Sequence, residues 1–423
     1  MSNVRLMATR RAQQPLEHRL LLTATFCLLA GGAVMVYSAS SARTLLEGSG
    51  DGTGYLIKYL GYGAVGLVVM HLASRHGLRH VRRLTPWILA GSFVLLVLVL
   101  IPGFGVQING ARRWLGAGPL QFQPSEVMKL ALILHAAGVL AERPKIGRSL
   151  RLVAVPVMGV GGCAVLLIMA QPDLGTALVI CFTMAAMLVA AGLPMRQLGL
   201  VAGAGAVLVL LFALLEPYRR ARLTAFVNPW ADAGGSGFQS VQGQIAIGSG
   251  GIFGVGPGQS VQKIFYLPEA HTDFILAVIG EELGVAGICG LLFLYGMIGY
   301  AGLRTARAAR GAYAKLLATG ITSLILCQAL LNTYAVLGLA PLTGVPLPFI
   351  SSGSTSLIVL LCSMGLLLNV AGGGSAHLQG LRQPKGSRRD AGGDRERAED
   401  RDRRRRDGRA RGTGHRGGRR AAG

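Results

Sequence analysis

Long apolar runs alternate with polar segments along the chain up to about residue 370. A helix needs about 20 apolar residues to cross the hydrocarbon core of a bilayer, and runs of this length recur throughout. The pattern therefore predicts an all-α, polytopic integral membrane protein with about ten transmembrane helices. The expected helices cover residues 19–40, 54–73, 86–104, 124–141, 152–170, 173–192, 198–216, 272–301, 313–336 and 346–370.

The polar segments divide the chain into three regions. We expect a cytoplasmic N-terminal segment (1–18), a membrane domain (19–372) and a tail (373–423). Within the membrane domain, residues 217–271 are too many for a plain connection and should form a large extracytoplasmic loop. The first apolar run follows several arginines, as a signal peptide would. It is long for a cleaved segment and more spans follow, so we expect an uncleaved first span.

The basic residues orient the predicted bundle. With ten spans, most of the basic connections fall on one side, and this side should be cytoplasmic. Both termini then lie in the cytoplasm, whereas loops 105–123 and 217–271 lie outside. The proposed cytoplasmic set is Arg5, Arg10, Arg11, Arg19, Arg75, Arg79, Arg82, Arg83, Arg143, Lys145, Arg148, Arg151, Arg196, Arg304, Arg307 and Arg310.

The tail differs in composition from the rest of the chain. Residues 373–423 hold 16 Lys/Arg and 7 Asp/Glu and lack apolar periodicity, so we expect disorder. A solvated tether is one interpretation, and binding of the Arg401–Arg406 run to anionic lipid head groups is another. The charge also permits nonspecific contact with nucleic acid, but no specific nucleic-acid partner is predicted.

Composition also limits the chemistry. The chain is 51% hydrophobic and 14% charged, and its six cysteines all fall inside apolar runs. None is spaced as Cys-x-x-Cys, so neither a disulfide framework nor a zinc site is expected. No Walker motif or dinucleotide fingerprint occurs, which argues against nucleotide binding.

Asp273 is the acidic residue with the most suggestive position. It follows the long outer loop and opens an apolar run, so it is expected at the outer edge of the membrane, where acids are costly and usually functional. If Thr272 is the N-cap, Asp273 lies in the first helical turn, where the helix dipole favours an ionised carboxylate. That state suits a general base. An ordinary helix-start aspartate is the alternative.

Small residues line the same face of this predicted helix below Asp273. Ala277, Gly280, Gly284 and Gly287 point within about 40° of it at 100° per residue. Close helix packing explains such a stripe, and a groove for a lipid chain is the alternative. Glu281 and Glu282 point elsewhere and should make polar contacts within the bundle.

A second cluster precedes and opens the fourth predicted helix. Glu126 and Lys129 are three residues apart, share a helix face and can form an ion pair. A purely structural pair is one interpretation. The other is a cationic contact for a phosphate at the membrane surface, made by Lys129 with help from Arg112 or Arg113.

Two further segments fit a substrate site. The loop 217–271 contains glycines and five glutamines, among them Gln244, that suit either sugar hydroxyls or the loop's own backbone. Residues 341–353 contain three prolines, which prevent a regular helix. A broken segment at membrane depth must be buried in protein or line a cavity, so it is a candidate wall of the site.

Taken together, these segments resemble the SEDS family (shape, elongation, division and sporulation proteins), over about residues 15–372. The blocks near Asn228–Asp232 and Tyr266–Phe274 resemble its division members most. Two positions depart from the family pattern: Gly353-Ser354-Thr355 replaces the usual Gly-Gly-Ser, and Gly243 replaces a common Ser. The matching blocks are Gly110–Trp114, Gln123–Glu126 with Lys129, Gln171–Thr176, Asn228–Asp232, Ala246–Gly251, Tyr266–Phe274 and Pro346–Ser351.

The resemblance implies a peptidoglycan glycosyltransferase that polymerises lipid II, the undecaprenyl-pyrophosphate-linked disaccharide peptide, outside the cytoplasmic membrane. It implies that Asp273 is the essential acid and that Glu126 and Lys129 are an important polar pair. The predicted partners are a class B penicillin-binding transpeptidase and other divisome proteins at the division septum. The complete set of predicted substrate-binding residues is Lys129, Glu126, Arg112, Arg113, His271, Glu269 and Gln244.

The mechanism that follows is inverting glycosyl transfer. Asp273 takes the proton of the acceptor sugar's 4-hydroxyl, this oxygen attacks the donor's anomeric carbon, and undecaprenyl pyrophosphate leaves. No metal-binding residues are predicted and no cofactor is required by the motifs. A Mg²⁺ or Mn²⁺ ion would be held partly by the pyrophosphate. The alternatives are a flippase for lipid-linked precursors, a noncatalytic divisome scaffold, and a role in elongation instead of division.

Overall fold

The computed structural model describes residues 15–46, 53–108, 111–117, 120–143, 149–215, 225–235, 237–264, 267 and 270–373. Residues 374–423 of the predicted tail and the first 14 residues lie outside this range, as does Glu269. The helices are α1 (Leu16–Leu46), α2 (Thr53–Arg75), α3 (Leu78–Leu100), α4 (Pro124–Glu142), α5 (Leu150–Ala170), α6 (Leu174–Ala191), α7 (Met195–Leu215), α8 (Phe238–Gly250), α9 (Ile275–Ala308), α10 (Ala312–Val336) and α11 (Ser354–Ala371).

Nine helices of the described part are long and apolar enough to cross a membrane. They correspond to all the expected spans except the seventh. That run also folds as a helix, α7, which is 21 residues long. The all-α architecture expected from the apolar pattern is therefore confirmed. Helices α4, α9, α10 and α11 are mostly buried, and α2 and α3 are mostly exposed on the outside of the bundle.

The boundary between the fifth and sixth spans falls where the sequence predicts it. Helix α5 ends at Ala170 and α6 begins at Leu174. Asp173 is the N-cap, and its Oδ1 accepts a hydrogen bond from the backbone N–H of Thr176 at 3.2 Å. Earlier in α5, residues Ala154–Gly159 form a π-turn around Pro156, whose missing N–H interrupts the regular ladder.

The outer loop expected at residues 105–123 contains a small antiparallel sheet. Its strands β1 (Gly105–Ile108), β2 (Ala111–Ala117) and β3 (Leu120–Phe122) are ordered β1-β2-β3. Gly105 pairs with Leu115 and Leu115 with Phe122 in the two ladders. The sheet brings Gln121 and Phe122 to the start of α4, beside the N-terminus of α11, where Ser354 Oγ donates to the Gln121 carbonyl at 3.1 Å.

Helix α9 is not the continuous span that was expected. It begins at Ile275, and its backbone leaves the helical region at Gly284 (φ 67°, ψ −165°). The interruption exchanges hydrogen bonds with residues 251–256: Val255 and Gly256 donate to the carbonyls of Glu281 and Glu282 at 2.9 and 3.1 Å. In return, Val285 donates to the Gly251 carbonyl at 3.0 Å. Backbone groups at membrane depth need such partners.

The segment 217–271 is therefore not wholly an outer loop. Helix α8 lies along the first turns of α9, and the residues after it reach Glu282, roughly 10 Å below the start of α9 at 1.5 Å per residue. Gly280 packs against Ile247 of α8, where an added Cβ would lie 3.0 Å from Ile247 Cγ1. At Gly280 the stripe of small residues serves close helix packing.

Gly250 allows the contact between α8 and α9 that anchors this segment. A Cβ at Gly250 would overlap the Gly280 carbonyl oxygen, whereas a Cβ at Gly248 would meet nothing within 4 Å. We expect Gly250→Ala to destabilise the protein by about 1–3 kcal/mol, as overpacking does. Gly248→Ala, a matched control in the same helix, should leave stability unchanged or raised. Thermal unfolding in detergent tests the pair, and equal melting temperatures would contradict the packing described.

Candidate active site

Asp273 lies in a turn that immediately precedes α9. The N-cap is Phe274 with no side-chain cap, so Asp273 lies before the first helical turn and Thr272 is not the N-cap. The prediction of a first-turn aspartate was wrong. The reason is a tertiary contact: Asn332 of α10 donates from Nδ2 to the Asp273 carbonyl at 2.7 Å and to the Val345 carbonyl at 2.8 Å. This contact holds the Asp273 backbone in the turn.

The side chain of Asp273 is half-buried at this point. Its Oδ1 accepts a hydrogen bond from Thr272 Oγ1 at 3.2 Å. Its Oδ2 lies close to Gly344, where an added Cβ would be 3.8 Å away. The next residue, Phe274, is buried against α8, and a Cβ at Gly243 would come within 2.7 Å of its ring. A glycine at 243 thus leaves room for the ring that anchors the turn.

The proline-containing segment 341–353 runs beside this turn, and side chains from three helices bind its backbone. Tyr59 donates to the Phe349 carbonyl and Tyr295 to the Pro348 carbonyl, both at 2.6 Å. Gln328 donates to the Pro346 carbonyl at 3.0 Å. These bonds satisfy a broken backbone inside the bundle, as expected for irregular structure at membrane depth.

His271 joins the same segment to the turn of Asp273. Its carbonyl accepts hydrogen bonds from the backbone N–H and the Oγ of Ser352, at 3.1 and 2.9 Å. Its ring lies against Tyr55 of α2, with 4.5 Å between the ring centroids. His271 therefore links α2, the 341–353 segment and the turn that carries Asp273.

A mainly polar cavity of about 190 Å³ opens beside His271. One face of α2 forms much of its wall, because Tyr55, Lys58, Tyr59 and Tyr62 follow the i, i+3, i+4, i+7 spacing. The Lys58 ammonium lies 5.6 Å from the centroid of the Tyr55 ring. The remaining lining residues are Gln121, His271, Ser352, Gly353, Ser354 and Leu357.

A second, mainly apolar cavity of about 330 Å³ adjoins the first. The two cavities share Tyr62, Gln121 and Ser354 in their walls. The apolar cavity continues between α4 and α11, lined by Phe122, Val127, Thr355, Ile358 and Val359. A polar space and an apolar space therefore meet at the end of the bundle where Asp273 lies.

The Glu126–Lys129 pair is formed but buried. Lys129 Nζ lies 2.8 Å from Glu126 Oε1, and both side chains are 2% exposed. Lys129 also donates to Gln328 Oε1 at 2.9 Å, and Gln328 is the residue that binds the Pro346 carbonyl. The pair is thus connected to the 341–353 segment through Gln328. In this arrangement the ammonium faces protein groups and not an open phosphate site.

The two arginines predicted to contact a phosphate, Arg112 and Arg113, lie in different surroundings. Arg113 is half-buried, and its Nε donates to the Gln171 carbonyl at 3.1 Å, with a second contact to the Pro172 carbonyl. Arg113 thereby binds the turn between α5 and α6. The sequence had instead suggested that it helps to bind a phosphate. Arg112 is exposed on β2.

Gln244 does not share the polar cavity with His271. It lines a separate small cleft with Phe226, Pro229 and Ser240, and its amide lies against Gly338. Glu269, the remaining predicted contact, lies outside the described residues. In the described part of the chain, no group of three or more His, Cys, Asp or Glu residues is arranged to hold a metal ion.

The contribution of α2 to the site was missed at the sequence level. A usable signal was present: Lys58 is the lysine inside the second apolar run, and an ionisable residue within a span suggests function by default. The aromatic residues that share its helix face were a second signal.

Comparison with known proteins follows this geometry. The family model described as "Cell cycle protein" (FTSW_RODA_SPOVE) matches residues 18–374. The chain belongs to this family. The SEDS membership expected from the motifs is confirmed, and the protein is an integral membrane protein.

Similar sequences include proteins of sporulation and of division. The stage V sporulation protein E of Bacillus subtilis (strain 168) is 41% identical over 368 residues, covering 86% of this chain and 99% of the relative. The probable peptidoglycan glycosyltransferase FtsW of Thioalkalivibrio sulfidiphilus (strain HL-EbGR7) is also 41% identical, over 388 residues, covering 88% and 95%.

Solved structures of similar fold include proteins of peptidoglycan synthesis and of rod shape. A chain from a peptidoglycan synthase complex, described for its coordination of polymerization and crosslinking, matches with a TM-score of 0.68 and 34% identity, covering 83% of this chain and 96% of that one. The rod shape determining protein RodA of Thermus thermophilus matches with a TM-score of 0.61 and 31% identity, covering 83% and 95%.

Proposed function

We propose that this SEDS protein is a peptidoglycan glycosyltransferase that polymerises lipid II into glycan strands at the outer face of the cytoplasmic membrane. The observation that carries the proposal is the position of Asp273. Its half-buried carboxylate lies in the turn two residues after His271, which lines the polar cavity, and this cavity adjoins an apolar one. Relatives about 40% identical over most of the chain are named probable peptidoglycan glycosyltransferases.

In the proposed reaction, Asp273 acts as the general base. It accepts the proton of the acceptor sugar's 4-hydroxyl, and the resulting oxygen nucleophile forms a bond to the donor's anomeric carbon. The bond from that carbon to the pyrophosphate oxygen breaks, and undecaprenyl pyrophosphate leaves with the electron pair. Attack opposite the leaving group turns an α-linked donor into a β-linked product. A carboxylate at the edge of the bilayer suits a head group whose lipid chain stays in the membrane.

The leaving pyrophosphate needs positive charge. Lys129, Arg112 and Arg113 were the expected ligands, and Lys129 and Arg113 instead bind protein groups. A Mg²⁺ or Mn²⁺ ion bound with the pyrophosphate stays a prediction, and such an ion would take most of its ligands from the substrate.

The cellular role is proposed from the family. We infer a function in septal wall synthesis with a class B penicillin-binding transpeptidase and other divisome proteins, with both termini in the cytoplasm. The similarity to FtsW proteins and to a chain of a peptidoglycan synthase complex supports this role. The similarity to RodA and to a sporulation protein keeps elongation and sporulation as alternative roles of the same chemistry.

Purified protein in detergent or liposomes, given lipid II with and without its transpeptidase partner, tests the proposal. We expect glycan polymer on gels, in larger amounts when the partner is present. Translocation of labelled lipid II across the vesicle membrane without any polymer would instead identify a flippase. Neither polymer nor translocation, with intact partner binding, would identify a scaffold.

A further inference from the structure

The cations of the site can be sorted by what they bind. The Lys129 ammonium is enclosed by Glu126 and Gln328, and Arg113 binds backbone carbonyls. Arg112 lies exposed on β2 and does not line the polar cavity. Lys58 is different, because it is exposed and lines that cavity.

The surroundings of Lys58 suit an anion. Among the described residues that line the polar cavity, none is acidic. One of them, Lys58, carries the positive charge of a lysine or arginine. The other polar groups of the wall include phenol and serine hydroxyls and the side-chain amide of Gln121, all of which can donate hydrogen bonds. Hydrogen bonds from a charged donor to an oxyanion are the strong ones, so such a wall favours a ligand with several anionic oxygens.

The adjoining apolar cavity narrows the class of ligand. Its walls between α4 and α11 include Val127, Ile358 and Val359, and it meets the polar cavity at Tyr62. A free phosphate would use only the polar space. A ligand with an anionic head next to a hydrocarbon chain uses both.

We propose that Lys58 binds the pyrophosphate of a polyprenyl-pyrophosphate ligand, whose hydrocarbon chain occupies the apolar cavity beside Ile358. This inference rests on the proposed function for the polyprenyl nature of the chain. The pairing of an anionic head with a hydrocarbon chain rests on the two adjoining cavities. Lys58 is assigned as a binding residue, and Asp273 keeps the role of base.

Binding of undecaprenyl pyrophosphate and of undecaprenol to the full-length protein in detergent tests the head-group contact. We expect Lys58→Gln to weaken binding of undecaprenyl pyrophosphate about 10-fold or more, which is the usual worth of a charged hydrogen bond, and to leave undecaprenol binding unchanged. Lys58→Arg should retain most of the affinity. Lys315→Gln, an exposed lysine of α10, is the matched control and should bind like wild type.

A second variant tests the chain contact. Ile358→Asn should weaken binding of undecaprenyl pyrophosphate and of undecaprenol by similar factors, because it changes the apolar space and not the charge. Equal affinity of wild type and Lys58→Gln for undecaprenyl pyrophosphate would overturn the inference, and so would an equal loss for undecaprenol in Lys58→Gln. Melting temperatures of both variants within about 2 °C of wild type would show that they fold.

The binding test of Lys58 and the polymerisation test of the proposed function can fail independently of each other. If wild type binds undecaprenyl pyrophosphate through Lys58 but makes no polymer from lipid II, the subsite stands and the polymerase proposal fails. If wild type makes polymer and Lys58→Gln keeps full affinity, the polymerase proposal stands and the subsite fails.

Discussion

Asp273→Asn is expected to reduce lipid II polymerisation by at least about 100-fold while the protein stays folded. A positioned general base contributes about 10²–10⁴-fold to a rate, and an amide of the same shape cannot accept the proton. The fold should tolerate the change because Asn332 binds the backbone carbonyl of Asp273 and not its side chain. The measurement is the initial rate of polymer formation from lipid II, together with the melting temperature in detergent.

The control for this variant is another carboxylate-to-amide change. Glu142 is exposed at the C-terminal end of α4 and pairs with Arg82, roughly 22 Å along the helix from the cavity-lining Val127 at 1.5 Å per residue. Glu142→Gln should stay within about twofold of the wild-type rate, since weak surface ion pairs contribute little. A fully active Asp273→Asn variant would remove Asp273 as the base and leave the cavity without its proposed chemistry.

The spans were predictable because the bilayer constrains them. Each run must be long and apolar enough to cross, so its position can be read from composition alone. The break between α5 and α6 was also local, since Asp173 caps the new helix with its own side chain. The pair of Glu126 and Lys129 followed from spacing along one helix face.

The interruption of α9 was not predictable in this way. The apolar run continues through Gly284, and its positive φ is imposed by hydrogen bonds from residues 251–256, which lie some 30 positions earlier. The start of α9 was misplaced for a similar reason, because Asn332 holds the preceding turn from a distant helix. Such contacts leave no periodic trace in the local sequence.

The small sheet had a local signal in the sequence. Asn109-Gly110 is a strong hairpin dipeptide between strands β1 and β2. The site residues likewise divide into those with a local sequence signal and those whose surroundings depend on distant residues. Asp273 was found from its place along the chain, whereas the enclosure of Lys129 depends on Gln328, almost 200 residues later. Lys58 also carried a local signal, because it is an ionisable residue within the second apolar run.

Lys263→Met is expected to destabilise the protein by about 3–5 kcal/mol, the cost of leaving a buried charge without its partner. Lys263 Nζ lies 2.7 Å from Glu282 Oε1, with side-chain exposures of 3% and 1%. It also donates to Ser38 Oγ at 3.0 Å and to the Gly258 carbonyl at 2.8 Å. After the change, Ser38 Oγ still donates a hydrogen bond to Glu282 Oε1 at 2.6 Å, but the positive charge is gone.

The double variant Lys263→Met/Glu282→Gln separates this electrostatic cost from simple loss of packing. It should recover more than half of the stability, because an amide costs far less to bury than an unpaired carboxylate. Lys315→Met, at an exposed position, should change stability by less than about 0.5 kcal/mol. Thermal unfolding in detergent and limited proteolysis within residues 258–264 measure both effects. Since Lys263 binds these residues to α9 beside the break at Gly284, cleavage there should rise in Lys263→Met before the bundle unfolds. Unchanged melting and cleavage would mean that the buried pair does not anchor residues 258–264 to α9.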